Sequence, residues 1–290
     1  MDKTNFSKWY DRYYKFLLLI PLILILFSII YLGVFESKNG DFIHKDVSLT
    51  GGTTITLFDK IDKIQLEQAL FEKLEDFNLR EISDLITREQ KAIIITTKES
   101  SEKAKQVLEE YLGHDLTNEN SSIEFTGASL SASFYKQLLF AIVFAFILMA
   151  LIVFIVFRTI VPSTAVIISA FADILMTLVT ADILGIKMSS AGIIAFLMLI
   201  GYSVDTDILL TTRMLKRQGP SNEKLFGAFK TGITMALTSL LAISIALIIV
   251  KPFSVVLAQI FTILLIGLIF DIFNTWITNA SLIKWHAESK

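Results

Sequence analysis

Cysteine is absent from the 290-residue chain, which excludes disulfide frameworks, thiolate zinc sites, iron–sulfur ligation and cysteine nucleophiles. Charge is scarce as well: Asp, Glu, Lys and Arg make up 19% of the residues, against about a quarter in an ordinary soluble domain. With 53% of residues hydrophobic, the composition excludes a typical cytosolic or secreted globule. Three histidines form no ligand pattern, and His286 is a tail residue without ligands nearby, so neither a metal nor a cofactor is expected. A clustered basic stripe is missing too, which argues against a nucleic-acid partner. The net charge of −2 hides a division, because residues 36–136 hold 12 basic and 19 acidic side chains while the remainder holds 14 and 9. An acidic block therefore sits in a basic frame, whose natural partner is a membrane lipid surface.

A bilayer core about 30 Å thick requires roughly 20 apolar residues in a helix. Six runs meet that length. Phe16 to Phe35, Leu138 to Phe157 and Thr231 to Val250 carry no charge. Val161 to about Ala181 contains Asp173, about Ser189 to Leu210 contains Asp205 and Asp207, and Phe253 to about Ile277 contains Asp271. The first run exceeds the apolar core of a cleaved leader and no small-residue cleavage site follows it, so it is expected to remain as an anchor. Flanking lysine and arginine residues stay on the cytoplasmic side. Lys3, Lys8, Arg12, Lys15, Arg158, Arg213, Lys216, Arg217, Lys224, Lys230, Lys284 and Lys290 fall on one side, against Lys187 and Lys251 on the other. Both termini are thus expected in the cytoplasm of a multi-pass cell-membrane protein. The expected division is a cytoplasmic N-terminus (1–15), a first transmembrane helix (16–35), an external domain (36–136), five further helices (137–277) and a cytoplasmic tail (278–290).

Within the acidic block the apolar spacing changes to short alternating and helical patterns. Asp46 to Phe58 reads as a strand and Gln65 to Phe77 as a helix. Glu81 to Arg88 and Ala92 to Thr97 read as two strands around Glu89-Gln90. Ser100 opens a second helix that Gly113 ends, and Ser122 to Phe125 supplies a last strand. The order βαββαβ predicts a ferredoxin-like α+β domain. Inside the first strand, Gly51 and Gly52 predict a bulge or a close backbone approach. A phosphate cradle is the sharper alternative, but no lysine follows in the phosphate-loop pattern.

A carboxylate inside a membrane span costs several kcal/mol, so such residues face a protein interior or a water path. Asp205 and Asp271 are expected at about the same depth, in the cytoplasmic half, where one hydrated pocket would let them take up and release protons. Asp207, two residues along, is expected on a different helix face and to matter less; Asp173 reads as a packing or partner-facing site. For Asp205 and Asp271 the bland alternative is a structural carboxylate bonded to Ser, Thr or Asn on a neighbouring helix.

Two stretches carry a family resemblance. Gly201-Tyr202-Ser203-Val204-Asp205-Thr206-Asp207-Ile208-Leu209-Leu210-Thr211-Thr212-Arg213 resembles the SecF subunits of the protein-export membrane complex, particularly their archaeal form. Asp46-Val47-Ser48-Leu49-Thr50-Gly51-Gly52-Thr53 resembles that family's first external motif. The resemblance covers residues 10–285 and extends to the order of six spans with one external domain after the first. It implies a non-enzymatic accessory subunit of Sec-dependent export, coupled to the proton gradient and working with a SecD-like subunit, the Sec translocation channel and an exported polypeptide. Bacterial members usually read Asn-Asp where this chain has Asp205-Thr206, and carry an arginine early in the fifth span where it has Lys230-Thr231-Gly232-Ile233-Thr234. Their proton path therefore does not transfer residue for residue.

Two other functions fit parts of the pattern. A proton-coupled exporter of lipids or small molecules shares the architecture, but generally has two six-span halves. An intramembrane aspartyl protease needs two membrane aspartates, yet its Gly-x-Gly-Asp context is missing at both Asp205 and Asp271.

Overall fold

The computed structural model describes residues 10, 12–74, 76–84, 86–216 and 218–288. Lys3, Lys8, Arg217 and Lys290 of the basic frame lie outside the described residues, as do parts of the expected terminal segments. The elements are α1 (Leu19–Asn39), α2 (Val47–Thr50), β1 (Gly52–Leu57), α3 (Lys63–Phe71), β2 (Asn78–Ser83), β3 (Gln90–Thr97), α4 (Ser101–Leu112) and β4 (Ser121–Thr126). They continue with α5 (Ala128–Phe157), α6 (Ile160–Ile183), α7 (Ser190–Lys216), α8 (Ser221–Val250), α9 (Val255–Asn274), a π-helical turn (Thr275–Asn279) and α10 (Ala280–Glu288).

Six helical stretches are long and apolar enough to cross a membrane, from Arg12–Asn39 at one end to Val255–Glu288 at the other. Their ends follow local chemistry. α1 stops where Gly40 takes a left-handed conformation and returns its N–H to Glu36 O at 2.8 Å. α5 ends at left-handed Arg158, and α6 starts two residues later with Pro162 in its first turn, where a missing N–H costs no helical bond. Among the six, α6 and α7 are the most enclosed, and α1 and α5 the least. Leu199, Leu264, Ile263 and Leu268 are buried where α7 meets α9, and Ile193, Ala195 and Phe196 extend that core along α7. α1 buries only Pro21 and Ser28, so its broad apolar surface is left uncovered by the described residues of this chain.

The segment between α1 and α5 folds as a small antiparallel sheet in the order β2-β3-β1-β4. Alternation decides its faces: Ile55, Leu57, Ile93 and Ile95 are buried against Leu66 and Leu70 of α3 and Ala104 and Leu108 of α4. Burying each of these leucines or isoleucines contributes about 1.5–3 kcal/mol. Asp62 caps α3 by accepting from Ile64 N at 2.8 Å, Ser100 caps α4 by accepting from Lys103 N at 3.4 Å, and left-handed Gly113 ends α4.

Two expectations need correction here. Asp46 to Phe58 is not one strand: Val47–Thr50 forms the short helix α2, and the strand begins only at Gly52. Two consecutive glycines at positive φ, +85° and +142°, turn the chain between them. The hairpin is also shifted, with strands at Asn78–Ser83 and Gln90–Thr97, because Asp84 accepts from Ile86 N and Thr87 N and turns the chain away after Ser83.

Candidate functional site

Asp46, Gly51 and Gly52 belong to the seam between sheet and helix bundle. The Asp46 N–H donates to Met188 O at 2.9 Å, the Met188 N–H donates to His44 O at 2.6 Å, and Ser48 Oγ accepts from Ser190 N at 3.2 Å. A Cβ on Gly51 would fall 2.6 Å from Ala128 Cα, and one on Gly52 would strike Thr97 O. These glycines thus serve close backbone approach; nothing about them resembles a phosphate cradle. Across the same seam, Asp76 receives Lys187 Nζ at 2.6 Å and Lys98 Nζ at 2.5 Å, and the Ser83 N–H donates to Pro252 O at 2.8 Å. Lys187 first, then Lys98, hold the Asp76 carboxyl below the usual carboxylate range.

Inside the bundle, three helices each present a hydroxyl and a carboxylate four residues apart, hence on one face. They are Ser169 and Asp173 on α6, Ser203 and Asp207 on α7, and Asp271 with Thr275 at the end of α9. α6 and α7 exchange these groups reciprocally: Ser203 Oγ donates to Asp173 Oδ2 at 2.6 Å, and Ser169 Oγ to Asp207 Oδ1 at 3.3 Å. The last span closes the cluster. Asn274 Nδ2 donates to Asp173 Oδ1 at 2.7 Å, Asn279 Nδ2 to Asp207 Oδ1 at 2.7 Å, and Thr275 Oγ1 to Asp271 Oδ1 at 3.3 Å. Thr278 Oγ1 in turn donates to Asn274 Oδ1 at 3.0 Å and fixes that amide. Asp173, Asp207 and Asp271 are at most 1% exposed. Among the described residues no lysine or arginine forms an ion pair with any of them.

Asp173, Asp207 and Asp271 are therefore brought together, and Asp205 is not. The expectation that Asp205 and Asp271 share one pocket is corrected: Asp205 stands exposed on the outside of the bundle beside Tyr202 and Met198. The reason is helical phase, since two residues turn the side chain by about 200° at 3.6 residues per turn. The small residues near the start of α7, Ala191, Gly192 and Ala195, likewise pack within this chain. Sequence reasoning missed Ser169, Ser203, Asn274, Thr275 and Asn279. The signal was the repeated Ser-x-x-x-Asp spacing on consecutive spans, and the run Asn274-Thr275-Trp276-Ile277-Thr278-Asn279 inside an apolar helix.

Fold and site together define a polytopic membrane protein with uncompensated carboxylates buried among its central helices and a small sheet packed at one end. Residues 105–289 match the family model of the protein export membrane proteins SecD and SecF, C-terminal part. The chain is 42% identical to the protein-export membrane protein SecF of Methanocaldococcus jannaschii, over 94% of this chain and 95% of that protein. It is 38% identical to SecF of Methanothermobacter thermautotrophicus, over 95% and 93%. The chain belongs to the SecF family. Its fold is similar to the crystal structure of SecDF, a translocon-associated membrane protein from Thermus thermophilus, with a TM-score of 0.70 at 18% identity. That match covers 98% of this chain and 38% of the SecDF chain.

Proposed function

We propose that the chain is a non-enzymatic accessory subunit of the Sec protein-export machinery, helping secreted polypeptides across the cytoplasmic membrane and drawing on the proton gradient through its intramembrane carboxylates. The observation that carries this reading is the meeting of Asp173, Asp207 and Asp271 in a buried interior, without a cationic partner among the described residues, in a chain of the SecF family. Three such charges repel each other and each is costly to desolvate, so binding and releasing a positive charge must rearrange the helices that hold them.

In this reading the segment 36–136 is an external ferredoxin-like domain, which the sheet order β2-β3-β1-β4 and its antiparallel pairing support, and both termini are cytoplasmic. Its partners are a SecD-like subunit, the Sec translocation channel, the exported polypeptide and membrane lipid. The face of α7 that exposes Met198, Tyr202 and Asp205 suits the SecD-like subunit, and Asp205 contributes to the relay from that interface.

Export measured in energised membrane vesicles tests the reading. Asp207→Asn and Asp271→Asn should leave assembly with the SecD-like partner intact and abolish the response of export to the gradient. Asp205→Asn should weaken that response. Full gradient dependence in all three variants would refute proton coupling through this subunit.

A further inference from the structure

The six oxygens of the three buried carboxylates are not equivalently bonded. Asp173 receives a donor on each oxygen, Asn274 Nδ2 on Oδ1 and Ser203 Oγ on Oδ2. Asp207 receives Asn279 Nδ2 and Ser169 Oγ, both on Oδ1, and its Oδ2 has no partner. Asp271 receives Thr275 Oγ1 at 3.3 Å on Oδ1; the Ser203 hydroxyl lies near it but gives its proton to Asp173, and Asp271 Oδ2 has no partner either. A third buried oxygen without a donor, Asn279 Oδ1, belongs to the amide that holds Asp207. The charged groups that reach Asp271 are Asp173 from α6 and Asp207 from α7. α8 turns Gly232 and Ala236 inward, and Lys284 of α10 is engaged with Asn222, Glu288 and the rings of Tyr10 and Tyr14.

An amide NH2 can only donate. At Asp173 a proton would face the Asn274 NH2 on Oδ1 or force the Ser203 hydroxyl to turn from donor to acceptor on Oδ2, whereas Asp207 and Asp271 each have an oxygen that no donor occupies. Resting on the proton-coupled reading above, we propose that Asp207 and Asp271 share one exchangeable proton between their unpartnered oxygens while Asp173 stays ionised. Asn274 and Asn279 are the positioning residues that direct the proton to this pair.

The π-helical turn makes that division possible. Asn274 and Asn279 are five residues apart, which in an α-helix of 3.6 residues per turn would aim them about 140° apart. The i→i+5 ring of Thr275–Asn279 is wider and brings the fifth residue back towards the first, so one strip of the last span serves Asp173 on α6 and Asp207 on α7.

Infrared spectroscopy of the full chain in lipid nanodiscs at neutral pH, in H2O and D2O, reads a protonated carboxyl through its isotope-sensitive C=O stretch. One such band is expected. Asp207→Asn and Asp271→Asn should each abolish it, and Asp173→Asn should keep it. Asp271→Glu, which retains the carboxyl but displaces it, should shift the band and serves if Asp271→Asn does not fold. Asn279→Ala should shift its frequency through the altered bonding of Asp207; a merely structural asparagine would lower the folded yield and leave the frequency unchanged. Loss of the band in Asp173→Asn, or its survival in both Asp207→Asn and Asp271→Asn, overturns the assignment. Absence of any band, with stabilisation of the protein by added sodium, overturns it too, since a metal cation would then fill the cluster. The band is read with no export running, so its pattern judges the location of the proton and the vesicle experiment judges the coupling.

Discussion

At the scale of single residues, Asp173 is held more firmly than either other carboxylate, and this sets what its removal does. Asp173→Ala would leave the Ser203 hydroxyl and the Asn274 amide buried without acceptors, at about 1–3 kcal/mol for each orphaned group. Relief from burying a charge works in the opposite direction. The expected net loss is therefore about 1–3 kcal/mol rather than double that, measured as unfolding in detergent, with Asp173→Asn less affected because the Ser203 bond can persist. The sequence identified these residues as carboxylates inside spans, but not which face of α7 turns inward. Lipid is as apolar as a helix core, so Asp205 and Asp207 sit in equally apolar surroundings on paper. Only the polar stripe Ser203, Asp207, Thr211 at four-residue spacing marks the inner face, and all three are buried.

At the scale of elements, the six spans were legible because an uncharged run of membrane length has few other uses. Helix α4 was legible from its cap and its terminating glycine. α2 was not, since Val47 to Thr50 runs straight into the threonine- and β-branched-rich stretch that continues to Leu57, and its helical turn is imposed by the seam: Asp46 is held by Met188, and Gly51 reverses the chain against Ala128. Nor was the π-helical turn, which carries no propensity signal and exists where polar side chains reach carboxylates on other helices. The seam yields a sharp expectation for Gly52→Ala. The new Cβ would meet backbone at Thr97 and the Val47 side chain, at a φ of +142° that L-residues avoid. The cost should reach at least about 1–3 kcal/mol, seen as reduced folded yield and earlier melting, whereas alanine at half-buried Gly127, with open space around its Cα and ordinary φ, should be tolerated.

At the scale of the whole molecule, sheet and bundle are joined by the packing of Ile43 and Leu49 and by polar contacts, of which the Lys187–Asp76–Lys98 cluster can be tuned by pH. Both lysines favour the ionised Asp76, so its folded-state pKa lies below the unfolded value of about 3.9. Its contribution is complete above that unfolded value and is lost as pH falls through the lower, folded one. Acidification below about pH 4 should therefore loosen the sheet from the loop between α6 and α7, read as a broadened distance between spin labels placed on α4 and at residue 185. Asp76→Asn should give the broadened distribution already at neutral pH. A narrow distribution that ignores both changes would mean that the backbone bonds at Met188 and Pro252 and the packing of Ile43 and Leu49 hold the seam without the Asp76 cluster. The sequence pointed to an acidic block and to Lys187 on its side of the membrane, but the pairing depends on left-handed Asp76 in the turn before β2, which only the folded chain defines.

The clasp around Lys284 has a consequence for how the molecule is made. Tyr10 bonds Ser281 across 271 residues, Tyr14 bonds Glu288 across 274, and both rings face the ammonium of Lys284, which is 1% exposed. At a ribosomal pace of about 5–20 residues per second, those partners emerge roughly 15–55 s after the tyrosines. During that interval the tyrosine end of the first span can pack against Ala165, Leu210 and Met214 but not yet against Ser281, Lys284 and Glu288. Closure of this clasp is thus deferred until α10 has been made, and a chain interrupted before α10 lacks the ammonium that both tyrosine rings face.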